Sequence, residues 1–388
     1  MLIFLLLFIA FLLLPDYYIW RTFMRPRTRR LWQWLYWLPT LITWGAIIGW
    51  AVGGHAEWML RLFSILLLCL ALPKLLFALC VLIGRGVGLA FPSAIRTGKA
   101  VGIIAALISC GIGVYGFTLG WKQLRVVETS LTLPDLPAAF DGYRIVQISD
   151  LHIGTFGSDT AYVRNLIQQA HALHPDLIVF TGDLINAAPE ELDGYQTLLA
   201  TLQAPDGVLS VLGNHDYCTY RRYDTPNGAD QKLDELKQRE RALGWDLMLN
   251  ENRILRRGTD SLVILGMENC SRPPYPSHGS LPDATRGISP DSFQILLTHD
   301  PSLWRREIVG ATSIRLMLAG HTHAMQFKIG RFSPVRWSYP EWGGLYREGD
   351  QYLYISLGAG GTVPFRFGAW PEINLITLHR PSTQHSGQ

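Results

Sequence analysis

The sequence predicts an α/β protein in two parts: four membrane-spanning helices, then a domain of alternating strands and helices. Three observations predict it. Residues 1–121 hold four long apolar runs in succession. After a linker rich in Leu and Pro, 131–140, the pattern changes to short hydrophobic strands separated by amphipathic segments. Five of those strands end in clusters of Asp, Asn or His, which gathers polar side chains along one sheet edge.

At 388 residues the chain is too long for one compact core and suits two units. Charge divides them. Residues 1–121 carry ten Lys or Arg against two acids, Asp16 and Glu57, whereas the remainder carries 24 against 29. The net +3 therefore joins a basic first part to an acidic domain. An acidic domain argues against nucleic acid as a partner, because a phosphate backbone needs a basic face.

The apolar runs are 2–20, 31–52, 58–83 and 101–121, each near the ~20 residues that a helix needs to cross a bilayer. Four such runs in a row are foreign to a soluble core. The first lacks a basic leader and a small-residue cleavage site, so it reads as a retained anchor. Arg21, Arg25, Arg27, Arg29 and Arg30 fill the first loop, and Arg85, Arg96 and Lys99 the third. The second loop, 53–57, has no Lys or Arg. Loops one and three should then face the cytoplasm, which leaves everything after Trp121 extracytoplasmic in a multi-pass protein of a bacterial inner membrane. Lys122 and Arg125 weaken that count without reversing it. Lys74, beside Pro73 inside the third run, either meets a lipid phosphate or Asp16, or snorkels at a proline kink. No chain of acids runs through these helices, which argues against a transporter.

In the second part Tyr143–Ser149 reads as a strand followed by Asp150-Leu-His152, and Asp176–Thr181 as one followed by Gly182-Asp183. Gly207–Leu212 leads to Gly213-Asn-His-Asp216, Phe293–Leu297 to His299, and Ser313–Leu318 to Gly320-His-Thr-His323. Thr160–His171 has helical periodicity, with Val163, Leu166, Ile167 and Ala170 on one face. Each fragment alone could be an ordinary turn; five in order, each after a strand, point to one site. Carboxylate, amide oxygen and imidazole together suit two divalent ions of Mn, Fe or Zn. Gly182, Gly213 and Gly320 permit the tight turns such a site needs.

These blocks resemble those of the calcineurin-like metallophosphoesterases, over about 122–380, and most closely the subgroup with an N-terminal membrane region. The resemblance implies an αββα sandwich over 122–380, with 381–388 as a polar tail. It also implies that Asp150, His152 and His323 hold one metal, that Asn214, His299 and His321 hold the other, and that Asp183 bridges them. His215 then faces the phosphate as general acid, and Asp216 orients that histidine or supports the turn. His299-Asp-Pro301, Gly358–Arg366 and Pro371-Glu-Ile373 extend the likeness; Ala324-Met325 departs from it, where many relatives have Gly-Gly. In such chemistry two cations activate a shared water and neutralise the phosphoryl oxygens.

Arg366 is a candidate substrate clamp or a structural arginine. Trp337, Tyr339, Trp342, Tyr346 and Trp370 form a substrate wall, an interfacial patch or core. The segment 217–245 is a cap, or a solvated helix around 230–241. Cys218 and Cys270 could pair in an oxidising compartment. The function this reading favours is hydrolysis of a phosphoester, cell-envelope or lipid-linked, beside membrane lipids. A UDP-sugar-lipid pyrophosphate hydrolase is the alternative, ahead of a nuclease. A catalytically weak membrane scaffold is the non-enzyme alternative.

Overall fold

The computed structural model describes residues 2–52 and 57–381, and the chain divides into two compact units, Met1–Leu119 and Gly120–Gln388. Residues 53–56 of the second loop, 53–57, and residues 382–388 of the polar tail, 381–388, lie outside the described residues.

The first unit is helical, with α1 (Leu2–Ile19), α2 (Arg30–Val52), α3 (Glu57–Leu66), α4 (Leu72–Val87) and α5 (Ala94–Thr118). A π-helical turn, Leu67–Ala71, joins α3 to α4. Helices thus cover all four expected runs, and the fourth starts seven residues early. Among the described residues two stretches, Trp58–Val87 and Ala94–Lys122, are long and apolar enough to cross a membrane. Of the four expected spans, two are therefore met in length and hydropathy among the described residues. α4 and α5 approach closely at glycines, where a Cβ on Gly84 would lie 2.8 Å from the Gly98 Cα. Lys74 does not snorkel. Its Nζ lies 2.7 Å from Asp16 Oδ1.

The second unit begins with β1 (Arg125–Thr132), β2 (Tyr143–Ile148), β3 (Leu177–Thr181), β4 (Val208–Val211), β5 (Asp246–Leu247) and β6 (Glu251–Arg257). It continues with β7 (Asp260–Gly266), β8 (Gln294–Leu297), β9 (Leu316–Ala319), β10 (Gly344–Glu348), β11 (Gln351–Ile355) and β12 (Glu372–His379). They form two six-stranded sheets, ordered β1-β12-β2-β3-β4-β5 and β10-β11-β9-β8-β7-β6. Parallel pairing of β2, β3 and β4, and of β8 with β9, brings their carboxyl ends to the same edges. These central strands are buried on both faces, which explains their unbroken hydrophobic runs.

Alternation decides what each face covers. Ile145, Leu177, Val179 and Leu209 of the first sheet meet Ile264, Ile295, Leu316 and Leu318 of the second in a shared core. The other face of the first sheet, with Val146, Ile178 and Phe180, packs on Val163, Leu166 and Ile167 of α6 (Ala161–Ala172). The far face of the second sheet covers Trp304 and Ile308. Mixed α/β layers of this kind fit the expected sandwich. All five cysteines are free, so Cys218 and Cys270 do not pair.

Candidate metal centre

Three of the strand ends, those of β2, β3 and β9, deliver their clusters through strained backbone. Asp150, His152, Asp183, His321 and His323 all have positive φ, between 47° and 73°. Non-glycine residues adopt that region at a cost, and such residues concentrate where side chains must be aimed. Close packing fixes the turns. At Gly320 any Cβ would collide with Ser149 Oγ and Asp150 Oδ2, so a larger residue would displace a carboxylate of the site.

Two groups of donors converge, Asp150 with His152, Asp183 and His323, and Asp183 with His299 and His321. Asp183 belongs to both, through one oxygen. Its Oδ2 lies 3.5 Å from His152 Nε2 and 3.1 Å from His299 Nε2, while Oδ1 accepts the His215 N–H at 2.8 Å. In the first group His323 Nε2 stands 3.1 Å from His152 Nε2 and 3.2 Å from Asp150 Oδ1. In the second, Asn214 Oδ1 is 3.2 Å from His299 Nε2 and 2.8 Å from His321 Nδ1. Asn214 is turned this way because its Nδ2 donates to the Tyr220 hydroxyl at 2.7 Å.

The donor set fits two cations on its hydrogen bonding. His299 Nδ1 lies 2.8 Å from the Thr181 carbonyl, which can only accept, so the proton sits there. Its Nε2 then turns a lone pair toward two oxygens that are acceptors themselves. His152 Nδ1 is buried without a hydrogen-bond partner among the described residues. Three acceptors facing one another across about a hydrogen-bond length need a positive charge between them. Titration expresses the same demand. With no ion between these groups a second proton on His299 takes the cation's place: burial alone would push His299 down, but Asp183 outweighs it and holds it up at about 10. Burial likewise favours a neutral Asp183, yet His299 and His215 keep it well below the usual carboxylate range. Burial raises Asp150 to about 6 and lowers His152 to about 3 and His321 to about 4. Neutral imidazoles are the form a metal takes.

The other expected residues fall into different places. His215 lines a cavity of about 470 Å³ over the centre, together with Asp183, Asn214, His321 and His323. Its Nδ1 donates to the Asn186 carbonyl at 2.6 Å, and its ring stacks on Tyr220 with centroids 4.1 Å apart. Asp216 does not touch that ring: its carboxylate accepts the backbone N–H groups of Gly213, Asp183 and Leu184 at 2.8, 2.8 and 2.9 Å, tying two site turns together. Arg366 is not a clamp in the cavity. It is buried, donating to the carbonyls of Gly360 and Ala369, and its Nη2 lies 3.1 Å behind His323 Nδ1.

The aromatic region divides. The Tyr339 hydroxyl sits 2.7 Å from His321 Nε2 and lines the cavity, whereas Trp337 is exposed and Trp370 packs on Phe367. From segment 217–245 the site takes Tyr220; its helix, Gly228–Ala242, pairs Lys232 and Arg239 with Glu190 and Asp193 on the surface. Arg272 and Tyr275 line the cavity and carried no signal in the sequence, because they lie well inside the long loop after β7 and not at the strand's end. Ala324 and Met325 have φ of 51° and 48°, where the Gly-Gly of relatives would rest without strain.

The family described as "Calcineurin-like phosphoesterase" matches residues 143–325, and that described as "Probable Calcineurin-like phosphoesterase, transmembrane domain" matches residues 1–121. A Bacillus subtilis (strain 168) protein named "Uncharacterized metallophosphoesterase YkuE" is 30% identical over 71% of this chain and 94% of its own length. A Danio rerio "Transmembrane protein with metallophosphoesterase domain" is 27% identical over 71% of this chain and 62% of its own length. The Chlamydia trachomatis "UDP-2,3-diacylglucosamine pyrophosphatase LpxG" is 42% identical over 98 residues, 25% of this chain and 30% of that protein. The chain belongs to the calcineurin-like phosphoesterases: it is a membrane protein and a hydrolase of phosphoester bonds.

Proposed function

We propose that this calcineurin-like phosphoesterase is a membrane-anchored enzyme with a two-metal centre, acting on a lipid-linked phosphoester of the cell envelope. The observation that carries the reading is the single oxygen of Asp183 shared by two converging donor groups. On this reading Asp150, His152 and His323 hold one divalent cation and Asn214, His299 and His321 the other, with Asp183 between them. When bound, two ions of the Mn, Fe or Zn class supply positive charge against the phosphoryl oxygens and make water a better nucleophile. The chain's own residues then supply position and a proton. The Asn186 carbonyl fixes the His215 proton on Nδ1, so Nε2 is the nitrogen that gives and takes a proton. Tyr220 keeps that ring upright, Asp216 holds the turns on either side, and Arg366 backs His323.

Read as four spans, the first unit and the loop charges of the sequence support a catalytic unit outside the cytoplasm. A tethered site meets lipid headgroups at high effective concentration. The partial likeness to a UDP-2,3-diacylglucosamine pyrophosphatase supports a second reading, a nucleotide-linked lipid as substrate. Reporter fusions after Trp121 separate the two, since a cytoplasmic unit favours the second. Full-length protein supplied with Mn should hydrolyse an aryl phosphodiester or monoester, and Asp183→Ala should lose at least about 10³-fold, as removal of a central electrostatic group does. Equal activity in the variant would end the proposal.

A further inference from the structure

The segment after the last histidine of the centre carries an apolar ridge beyond what the chemistry uses. Met325, Ile329, Phe332 and Trp337 are all exposed, Trp337 at 77%. Phe332 and Trp337 pack edge to face with centroids 5.7 Å apart, so they present one surface. Ile329 and Phe332 exchange backbone hydrogen bonds of 2.9 and 3.0 Å across a tight turn, which holds the tip in shape. Lys328, Arg331 and Arg336 flank these residues, and no acid lies between 325 and 337, although the domain as a whole is acidic. Arg331 and Arg336 are exposed, and among the described residues neither pairs with a carboxylate.

Two placements indicate what covers the ridge. Met325 and Val335 also line the cavity beside His321 and His323, so the ridge is the rim of the site. At its base, Lys328 N–H donates to the Phe367 carbonyl at 2.8 Å, and Phe367 packs on Trp370. Gly120 lies against the same loop, where a Cβ would strike the Arg366 carbonyl and meet the Trp370 ring. Gly120 is where the chain enters this unit, within the apolar helix Ala94–Lys122. The ridge therefore adjoins the point of tethering. Exposed aromatic and aliphatic side chains among unpaired cations are the composition that anionic bilayer surfaces attract.

We propose that residues 325–337 dock on the anionic headgroup surface of the bilayer that carries the chain, with Phe332 and Trp337 in the interface and Arg331 and Arg336 on lipid phosphates. Docking would hold the mouth of the cavity at headgroup level. The proposal deepens the lipid-substrate reading and rests only on its membrane part. Hydrogen–deuterium exchange of the full chain in nanodiscs tests it, comparing phosphatidylcholine alone with phosphatidylcholine plus phosphatidylglycerol. Amides of 327–337 should exchange several-fold more slowly with the anionic lipid. Phe332→Ser with Trp337→Ser should abolish that difference, and so should Arg331→Gln with Arg336→Gln, while the amides of β2 and β3 stay protected in both. Equal exchange in the two lipids, or a difference that persists in both double variants, would overturn it. No turnover is needed, so an inactive enzyme leaves the test intact.

Discussion

Asp16 and Asp183 are both carboxylates withdrawn from solvent, one in each unit, and their surroundings differ in kind. Asp16 meets donors: Lys74 at 2.7 Å, the Tyr36 hydroxyl at 3.1 Å, and Thr40. Its charge is cancelled and its lone pairs are filled. Asp183 meets one backbone donor on Oδ1, while Oδ2 faces imidazole nitrogens and a second carboxylate, Asp150, stands in the same cluster. Its charge is not cancelled by protein alone. Buried charge that the protein completes fixes how helices meet; buried charge left incomplete is a binding site for cations. The first arrangement belongs to structure and the second to chemistry.

The comparison can be broken at several points. The largest expected effect after the loss of Asp183 itself is at His215. His215→Gln should lower turnover about 10²–10⁴-fold, the range for a positioned general acid. The loss should shrink for substrates with good leaving groups, and a loss independent of the leaving group would remove His215 from that role. In the membrane unit, Asp16→Asn strands Lys74 and should cost about 3–5 kcal/mol of stability. Adding Lys74→Met should recover most of it, as read by thermal unfolding in detergent. Failure of the second substitution to rescue would mean that the pair does more than cancel charge.

Glu240 sharpens the contrast as a third case. It is buried, its Oε1 has no partner among the described residues, and burial pushes it from 4.5 up to about 7. The folded state therefore holds this proton more tightly than the unfolded state does. Its stabilising contribution is complete below about pH 4.5 and is lost as pH rises through about 7, by roughly 3 kcal/mol at most. Glu240→Gln should flatten that part of the profile. The measurement is the melting temperature of wild type and variant at matched pH, and a constant difference across the range would contradict it.

Much of the catalytic unit was legible because its chemistry sits where periodicity stops. Strands β2, β3, β4, β8 and β9 are mostly apolar, and the residues just past them are the converging donors. What escaped were contacts made by backbone or by tertiary accident. The Asn186 carbonyl that orients His215 has no side-chain signature. For Asp216 the sequence left open whether it orients His215 or supports the turn, and the carboxylate takes the second role by reaching back to the turn at Asp183. Arg366 has the chemistry of a phosphate clamp, and only burial shows that its donors are already taken. Arg272 and Tyr275 reach the cavity from a loop whose path no pattern fixes. In the membrane unit the apolar runs marked the helices, while the choice between a lipid phosphate and Asp16 for Lys74 needed the packing of α1 against α4.

The central claim is that the cluster sharing Asp183 Oδ2 is completed by two cations, and metal stoichiometry tests it most directly. Full-length protein equilibrated with Mn and freed of excess should retain two ions per chain by elemental analysis. Asp183→Ala should retain well under two, while Asp16→Asn should retain the full complement. A wild-type chain that holds one ion or none, or an Asp183→Ala chain that holds as many as wild type, would contradict the account.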